Sequence, residues 1–396
     1  MWEFQELPKE KWLDRLQAEL KDNFNKTKYI NTLEDICIDL KHLKTRSFRF
    51  ANRESNEPIS NGFQIQITDE KSANQKALSA LESGVSTLWF GHDTPKLDLK
   101  RLFKDILLEY ITVVFESNCP DTIAQLTEIK EQQNLEHFYI IDKKSNFVIE
   151  ACNVREIGGN TTEQIKYALK HTYSIFSSLN KQSESTLFVK IGTSGDYFID
   201  LSCFITTRIL LNKILEKCGI TNSRIKICAT ISRMNKSNQD HETNLLRLST
   251  EILSSILGNS DLVLNQELTI DQNPNVQYKE IKDMANVFNV LFHESHIINS
   301  SSPLEGTEII HEIIFQLMKM SWEDFVKNQC KSLEEFENTC AKSISEKREL
   351  LKNLISNKEK ILIGINKYTS SKKQLSKAKS RNFMGFPFLT YQEICE

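Results

Sequence analysis

The chain has 396 residues, enough for two or three domains or for one α/β barrel with extensions. Its formal net charge is −3 and its pI is about 6.3, so the chain has no overall positive charge with which to attract phosphate groups. This argues against a nucleic-acid-binding or membrane-surface role. No window approaches about 18 uninterrupted apolar residues, so no membrane-spanning helix is predicted.

The nine cysteines form no CxxC pair and no Cys/His ligand spacing. Scattered cysteines with mostly apolar neighbours in a long chain are typical of reduced thiols in a reducing compartment. The first residues, MWEFQELPKEKW, lack the basic and apolar regions of a signal peptide. We therefore expect a cytoplasmic protein.

Residues 1–60 are mostly polar and are predicted to form an N-terminal extension. A short helix is predicted to begin near Pro8, with Trp12, Leu16 and Leu20 on one face. These side chains are too few for a core of their own. The extension is therefore interpreted as a segment that wraps the surface, or as an arm that contacts another subunit.

Residues 61–330 alternate between strand and helix patterns. Predicted strands cover residues 63–67, 85–90, 111–115, 138–141, 147–151, 187–191, 225–231 and 262–264. Predicted helices cover residues 71–81, 101–108, 121–133, 161–176, 198–215, 241–257, 280–296 and 308–325, and Thr161 with Gln164 forms a predicted capping box. About eight strands in this order predict a (β/α)8 TIM-type barrel, with an open doubly wound sheet as the alternative. No GxGxxG or GxxxxGKS/T follows a strand, which argues against a nucleotide-binding open sheet.

The clearest unit runs from Ile225 to Asn265 and reads strand, polar loop, amphipathic helix and strand. Asp240 is predicted to cap the helix, and Gly258 with Asn259 to end it. A crossover helix makes the two strands parallel neighbours. The polar loop would then lie on the face where barrel enzymes hold their active sites.

Residues 331–396 are predicted to form a C-terminal helical extension and tail. The stretch from Ser332 to Lys360 is highly charged but keeps one apolar seam, so we expect a helix that lies on the barrel or on a partner. After Tyr368 the sequence is basic and low in complexity, and an apolar segment follows at residues 383–389.

Residues that could carry chemistry are few. His241 lies in the first turn of a predicted helix, where polar surface residues are ordinary. His293 and His296 could share a metal ion, but no third ligand is apparent. Glycine-containing loops at residues 158–159 and 192–195 follow strands, where turns need glycine in any case. These residues alone predict a soluble α/β barrel and no specific chemistry.

Several stretches, in the same order, resemble the barrel domain of the methylmalonyl-CoA mutase family, and most closely its small (beta) subunit. Arg155–Gly159 resembles the family's QEAGA segment, Gly195–Leu201 resembles GnyFmEiA, and Gly364–Tyr368 resembles GvNky. The resemblance runs over most of residues 63–368. The residues that match family motifs are Glu156, Gly158, Arg208, Gln239, Asp240, Asn244, Arg247, Asn286, Glu294, Pro303 and Gly306.

The sequence departs from the family at its catalytic positions. The family's RTHSQTSG segment holds an active-site His, and Cys228 stands at that position. Cys203 and Ile205 replace the Lys and the first Arg of the AKlRAlR segment, and Ser302 replaces the Asp of DPagG. The WTIRQY run with its catalytic Tyr has no counterpart near Gly62. The sequence has no DxHxxG motif, and we expect no cobalamin-binding flavodoxin-like domain.

The resemblance implies a non-catalytic small subunit of a heterodimeric, adenosylcobalamin-dependent methylmalonyl-CoA mutase, an isomerase of propionate metabolism that interconverts methylmalonyl-CoA and succinyl-CoA. Radical rearrangement needs polar groups placed on the thioester carbonyl, which thiol and apolar side chains do not supply. The chain is therefore expected to have no catalytic residues and to bind neither cofactor nor metal itself. Adenosylcobalamin would belong to the partner large subunit, and neither nucleic acid nor membrane would be a partner. The alternative is a stand-alone acyl-CoA-binding barrel without catalysis.

Overall fold

The architecture is that of a computed structural model, which describes residues 8–26, 28–43, 58–92, 97–143, 147–178, 185–237, 240–268, 274–297, 304, 307–368 and 381–395. Eight parallel strands form a sheet that is nearly closed into a barrel and is surrounded by helices. The predicted (β/α)8 TIM-type fold is therefore confirmed. Among the described residues, no helix combines the length and the apolar character needed to cross a membrane.

The elements are numbered in chain order. The strands are β1 (Lys28–Asn31), β2 (Ile36–Asp39), β3 (Ser60–Gln66), β4 (Thr87–His92), β5 (Thr112–Ser117), β6 (Phe138–Asp142), β7 (Val148–Glu150), β8 (Thr186–Gly192), β9 (Arg224–Thr230), β10 (Leu262–Gln266), β11 (Asn382–Phe383) and β12 (Phe386–Pro387). The helices are α1 (Lys9–Leu20), α2 (Glu70–Glu82), α3 (Leu99–Leu102), α4 (Pro120–Gln133), α5 (Cys152–Glu156), α6 (Thr161–Ser178), α7 (Tyr197–Cys218), α8 (His241–Leu257), α9 (Pro274–Asn289), α10 (Glu308–Asn328), α11 (Leu333–Ser356) and α12 (Tyr391–Cys395).

The order of the barrel strands is β6-β5-β4-β3-β10-β9-β8-β7, and the pairing of β10 with β3 joins the end of the barrel to its beginning. Strands β6 and β7 are the two ends of this sheet, and the residues that the structure describes show no pairing between them. A parallel pair normally needs a crossover of about a dozen residues or more, but only residues 143–147 separate these two strands. The short link therefore leaves one break in the barrel wall.

Alternate side chains of each strand point to opposite sides of the wall. The outward set packs against the surrounding helices in two large apolar clusters, one between strands β7–β9 and helices α6, α7 and α10, the other around β3–β5 and helices α2, α8 and α9. The inward set includes Trp89, Val114, Phe188 and Cys228. Gly62 also faces inward, where an added Cβ would lie 2.6 Å from a methyl carbon of Leu262. The barrel is therefore packed on both faces of its wall.

Two local predictions are wrong. The helix predicted over residues 101–108 is only the four residues of α3, and Asp105 has a φ of 61°, a left-handed conformation that interrupts a helical path. Helix α6 is capped by Asn160, whose side-chain oxygen accepts the N–H of Glu163 at 3.0 Å, rather than by a box of Thr161 and Gln164. The Gln164 side chain instead bonds the backbone of Gly192 in both directions.

Strands β1 and β2 form a hairpin that was not predicted from the sequence. Ile36 and Ile38 of this hairpin are buried in the cluster around α6 and α7. The connecting turn supplies Glu34, whose buried carboxylate lies 3.4 Å from the guanidinium of Arg155. Part of the N-terminal segment is therefore built into the core.

The C-terminal part lies on the barrel. Helix α11 begins with a capping box of Ser332 and Glu335 and buries the seam that includes Phe336, Cys340 and Ile344 against the barrel helices. Residues 381–395, the C-terminal strap, contain β11, β12 and α12. The strap is tied to two loops at the carboxyl ends of the barrel strands, since the N–H of Leu389 donates to the carbonyl of Glu156 and the N–H of Tyr391 donates to that of Met234, each at 2.8 Å.

Candidate functional site

Aromatic rings fill the barrel axis. The ring of Phe188 stands edge-on between those of Trp89 and Tyr139, with centroid distances of 5.3 and 5.2 Å. Trp89 and Phe188 are buried, and Leu262 and Leu264 complete the layer. This level of the barrel is packed as a core.

A buried ion-pair cluster lies above the aromatic layer, toward the carboxyl ends of the strands. The ammonium group of Lys190 lies 2.9 Å from a carboxylate oxygen of Glu116 and 3.4 Å from one of Glu150. The indole N–H of Trp89 donates to the same Glu116 oxygen. Burial alone would lower the pKa of Lys190, but the two carboxylates raise it above its ordinary value. A lysine held in its charged form is neither a nucleophile nor a general base.

Cys228 lies beside this cluster. It is paired in register with Lys190 on β8 and with Leu262 on β10, and it is fully buried. Burial raises the pKa of its thiol well above the ordinary value, and Sγ lies 3.8 Å from the carbonyl oxygen of Lys226. The residue that the resemblance places at the family's His position is therefore a neutral thiol.

Cys203 and Ile205, which the resemblance predicts to replace a Lys and an Arg of the family, are buried on α7. Cys203 packs in the large cluster between barrel and helices, and burial raises the pKa of its thiol. Ile205 packs with Ile310 and Ile314 of α10. Neither side chain presents a charge.

Glu156 and Gly158, which match the family's QEAGA segment, have packing roles. The buried Glu156 carboxylate accepts the N–H of Arg233 at 3.1 Å. Gly158 has a φ of +96°, and a Cβ there would lie 3.1 Å from Cγ of Arg348. The segment thus joins the loop after β9 to helix α11.

The polar loop after β9 is held by the predicted motif residues. Asp240 caps α8, as predicted, by accepting the N–H of Thr243 at 2.9 Å. The Asn244 side chain accepts the N–H of Ser237 at 2.8 Å and donates to its carbonyl at 2.6 Å. Arg247 donates to Asn244 at 3.0 Å and to the carbonyl of Ile363. These residues fix the loop and attach the segment after α11 to it.

The other predicted residues are not gathered at the barrel mouth. Arg208 donates to Asp261 at 2.8 Å and to the carbonyl of Asn259 at 2.9 Å, between α7 and β10. Asn286 and Glu294 are exposed on α9 and the turn that follows. Four positions named above, Gln239, Ser302, Pro303 and Gly306, lie outside the described residues.

The histidines singled out in the sequence occupy the surface or its margin. His241 Nε2 lies 3.0 Å from an Asp283 oxygen and links α8 to α9. His293 and His296 are exposed. Within the described ranges, no group of three His, Cys, Asp or Glu side chains has the arrangement of metal ligands.

Two buried polar groups were not predicted from the sequence. Asp200 accepts the N–H groups of Ser194 and Gly195 at 2.8 and 3.0 Å, and burial raises its pKa to about 7. Lys236 lies 2.8 Å from Glu251, and both are buried. Charged residues are seldom fully buried, so the sequence does not indicate that Asp200 and Lys236 lie in the core.

A cavity of about 700 Å³ opens beside the break in the barrel wall. It is lined by Glu116 from the barrel interior, Glu150 from β7, Tyr167 and His171 from α6, and Arg381 and Phe383 from the C-terminal strap. Burial lowers the pKa of His171 to about 4, so this imidazole is neutral at pH 7. The volume is in the range of small-molecule sites.

Comparisons with known proteins agree with the earlier resemblance. A family profile described as methylmalonyl-CoA mutase matches residues 141–383. The methylmalonyl-CoA mutase small subunit of Porphyromonas gingivalis (strain ATCC BAA-308 / W83) is 22% identical over 400 residues, covering 82% of this chain and 63% of the relative. This chain thus spans a little less than two thirds of that relative's length.

Solved structures show only distant likeness. A Burkholderia cenocepacia dihydropteroate synthase is 11% identical, with 61% of this chain and 94% of that chain covered and a TM-score of 0.27. A Coxiella burnetii dihydropteroate synthase is 12% identical, with 65% and 96% covered and a TM-score of 0.28. Scores this low carry no functional argument. The profile match, by contrast, covers more than half of the sequence, and on that basis the chain belongs to the methylmalonyl-CoA mutase family.

Proposed function

We propose that this chain is the non-catalytic small subunit of a heterodimeric, adenosylcobalamin-dependent methylmalonyl-CoA mutase, and that it pairs with and stabilises the large catalytic subunit. The observation that carries the proposal is the filled barrel axis. Trp89 and Phe188 occupy the interior, and Cys228, which the resemblance places at the family's His position, is a neutral thiol. The chain keeps the scaffold of an isomerase without the groups for the reaction.

Residues at the barrel mouth do not fit adenosylcobalamin. A corrin ring would have to lie across the carboxyl ends of the strands, but the C-terminal strap is bonded to the loops after β7 and β9 there, through Leu389 and Tyr391. The rings of Trp89, Phe188 and Tyr139 fill the barrel axis below. We therefore assign adenosylcobalamin to the large subunit and derive no reaction step on this chain.

The proposed contact with the large subunit involves residues 1–60. Helix α1 packs mainly on the 3-10 turn that follows it, and Trp12 on this helix is 45% exposed. Leu13, Leu16 and Leu20 are only partly buried on the same helix. An amphipathic helix whose apolar stripe is not covered is a surface suited to a partner.

The experiment is to produce the large catalytic subunit with and without this chain. We expect a heterodimer in gel filtration, a higher Tm for the large subunit in the complex, and mutase activity that needs adenosylcobalamin. The double substitution Trp12→Ser/Leu16→Ser should weaken the complex, whereas Gln17→Ser on the exposed face of the same helix should not. A large subunit that is fully active and stable alone would exclude the proposed role, and activity of this chain alone would exclude its non-catalytic status.

The second candidate is a barrel that binds an acyl-CoA without catalysis. The cavity of about 700 Å³ favours it, because its aromatic and polar lining suits a small organic ligand. Calorimetry with acetyl-CoA and succinyl-CoA separates the two candidates. Micromolar binding by the isolated chain supports the ligand-binding function, and its absence supports the scaffold.

A further inference from the structure

The carboxylate of Glu34 is bound by three donors at the start of helix α6. One of its oxygens accepts the backbone N–H of Thr161 at 2.8 Å. The other accepts the hydroxyl of Thr161 at 2.9 Å and lies 3.4 Å from a guanidinium nitrogen of Arg155. All three residues are buried. An N–H at a helix N-terminus, together with a guanidinium group, is an arrangement that binds anions in proteins.

Glu34 reaches this position from a separate element, the turn of the β1–β2 hairpin. The two strands pair with each other, and the described residues show no third strand beside them. A two-stranded hairpin on its own is at best marginally stable. Next to Glu34, the carbonyl of Leu33 accepts a side-chain N–H of Asn160 at 3.0 Å. The hairpin is therefore an added element whose place depends on its contacts with the barrel, among them those of Glu34.

Arg155 depends on this carboxylate. Burial alone would lower its pKa, but Glu34, foremost among the acidic groups around it, raises the pKa above its ordinary value. Asp200 also acts on Arg155 through space, but its two oxygens accept the N–H groups of Ser194 and Gly195. Nε of Arg155 is buried and has no hydrogen-bond partner among the described residues. Without Glu34 the guanidinium would be a buried cation with unmet donors, which is costly.

The pair of Glu34 and Arg155 is not carried over from the family motifs. Glu34 precedes the stretch that resembles the family, and in the register of the QEAGA segment Arg155 stands where the family has a neutral Gln. The proposed subunit role requires neither residue. An inference drawn from this pair is therefore independent of that role and can be tested on the isolated chain.

We propose that Arg155 and the N-terminus of α6 form a carboxylate-binding site, and that Glu34 fills this site as a ligand supplied by the chain itself. Helix α6 follows β7, so its N-terminus lies at the carboxyl ends of the strands, the face on which barrel enzymes bind their ligands. The hairpin is thus an autoinhibitory plug. A free carboxylate of a small molecule enters the site when Glu34 is withdrawn.

The test is rescue of Glu34→Ala by sodium acetate, with sodium chloride at matched ionic strength as the reference. The substitution removes one methylene carbon and a carboxylate, and acetate supplies the same heavy atoms. We expect a lower Tm for the variant in chloride and a saturable recovery in acetate. At ten times its Kd, acetate should raise the folding equilibrium constant about elevenfold. Wild type should show no such gain, because Glu34 already occupies the site.

Two further variants define where acetate acts. Glu34→Ala/Arg155→Met removes both charges, so acetate should raise its Tm no more than that of the wild type. Asp35→Asn removes the neighbouring charge in the same turn, where the side chain is 61% exposed, and should respond as the wild type does. These comparisons separate binding at Arg155 from a general effect of acetate on stability.

Glu34→Gln keeps the length of the side chain and serves as the second variant if Glu34→Ala does not fold. Acetate should bind in place of its neutral amide, because a guanidinium group binds a carboxylate more strongly than an amide oxygen. The proposal is overturned if acetate raises the Tm of neither Glu34 variant beyond its effect on the wild type. Rescue that persists in Glu34→Ala/Arg155→Met would also overturn it.

Discussion

The ammonium group of Lys190 lies 2.9 Å from a carboxylate oxygen of Glu116, and 4.2 Å from the centre of the Trp89 ring, inside the barrel. The same carboxylate oxygen accepts the Trp89 indole N–H. The ion pair thus lies directly on the aromatic layer that Trp89 forms with Phe188. This relationship explains how a barrel of this family can be stable with its axis occupied by its own side chains.

Substitution of Lys190 by Met should strongly destabilise the fold. It would leave the Glu116 carboxylate buried without its cation, and breaking a buried pair in this way costs about 3–5 kcal/mol. The double substitution Lys190→Met/Glu116→Gln removes both charges and should cost less than the single one. Urea unfolding measures both free energies. A loss below about 1 kcal/mol for Lys190→Met would contradict the structural role of the pair.

Cys228→His, which installs the residue that the resemblance places at this position in the family, should not create activity. Trp89, Phe188 and Leu262 surround the site, so the larger imidazole overpacks the barrel and should cost about 1–3 kcal/mol in the free energy of unfolding. Cys228→Ala is the control for loss of the thiol alone. The measurement is urea unfolding of both variants, followed by mutase assays of their complexes with the large subunit. A stable Cys228→His variant with new turnover would overturn the explanation.

The stability of the fold should depend on pH through Asp200. Burial raises its pKa from 3.8 to about 7 in the folded chain, while Arg155 opposes the shift and Glu251 adds to it. The folded state therefore keeps a proton that the unfolded chain releases between about pH 4 and about pH 7. The free energy of unfolding should fall as pH rises through this window, by at most roughly 1.4 kcal/mol per pH unit, and then level off.

Asp200→Asn should lack this contribution, because an amide does not titrate. The difference in unfolding free energy between wild type and variant, measured in urea at several pH values, isolates the Asp200 contribution from other titrating groups. Parallel pH profiles for the two proteins would show that the Asp200 pKa is the same in the folded and unfolded chains.

Gly158→Ala should cost more than Gly385→Ala. Both glycines have positive φ, +96° and +80°, so each alanine carries backbone strain of about 1–2 kcal/mol. A Cβ at position 158 would also press on Arg348, at 3.1 and 3.2 Å from two of its side-chain carbons, whereas nothing lies within 4 Å at position 385. Thermal and urea unfolding of the two variants measure the loss of stability from backbone strain alone, at position 385, and from strain together with crowding, at position 158. Equal losses would indicate that Arg348 moves away freely.

The β9-α8-β10 unit was predictable because its signals are local. Asp240 caps the helix through a residue only three positions later, and Asn259, with a φ of 62°, provides the left-handed end. The place of Cys228 on strand β9 was predictable too, because it falls in the apolar run from residue 225 to 231. Its burial among aromatic side chains was not, since those come from other strands.

Long-range partners explain the predictions that failed. Lys190 and Glu116 are 74 positions apart, and no local pattern links them. Gln164 stands at the right spacing for a capping box, but its amide bonds the Gly192 backbone 28 positions away, which leaves capping to Asn160. The hairpin of β1 and β2 was missed because only Ile36 and Ile38 of its short strands are buried, too few to show a period.

Strands β6 and β7, the two ends of the barrel sheet, leave a break in its wall. A closed barrel has no free sheet edge, whereas in the described part of this chain each of these two strands has a neighbouring strand on one side only. Backbone N–H groups along such an edge lack the protection that a strand ladder gives against exchange with solvent. Local opening of the wall should therefore begin between Phe138–Asp142 and Val148–Glu150, and the rest of the sheet can stay intact while it does.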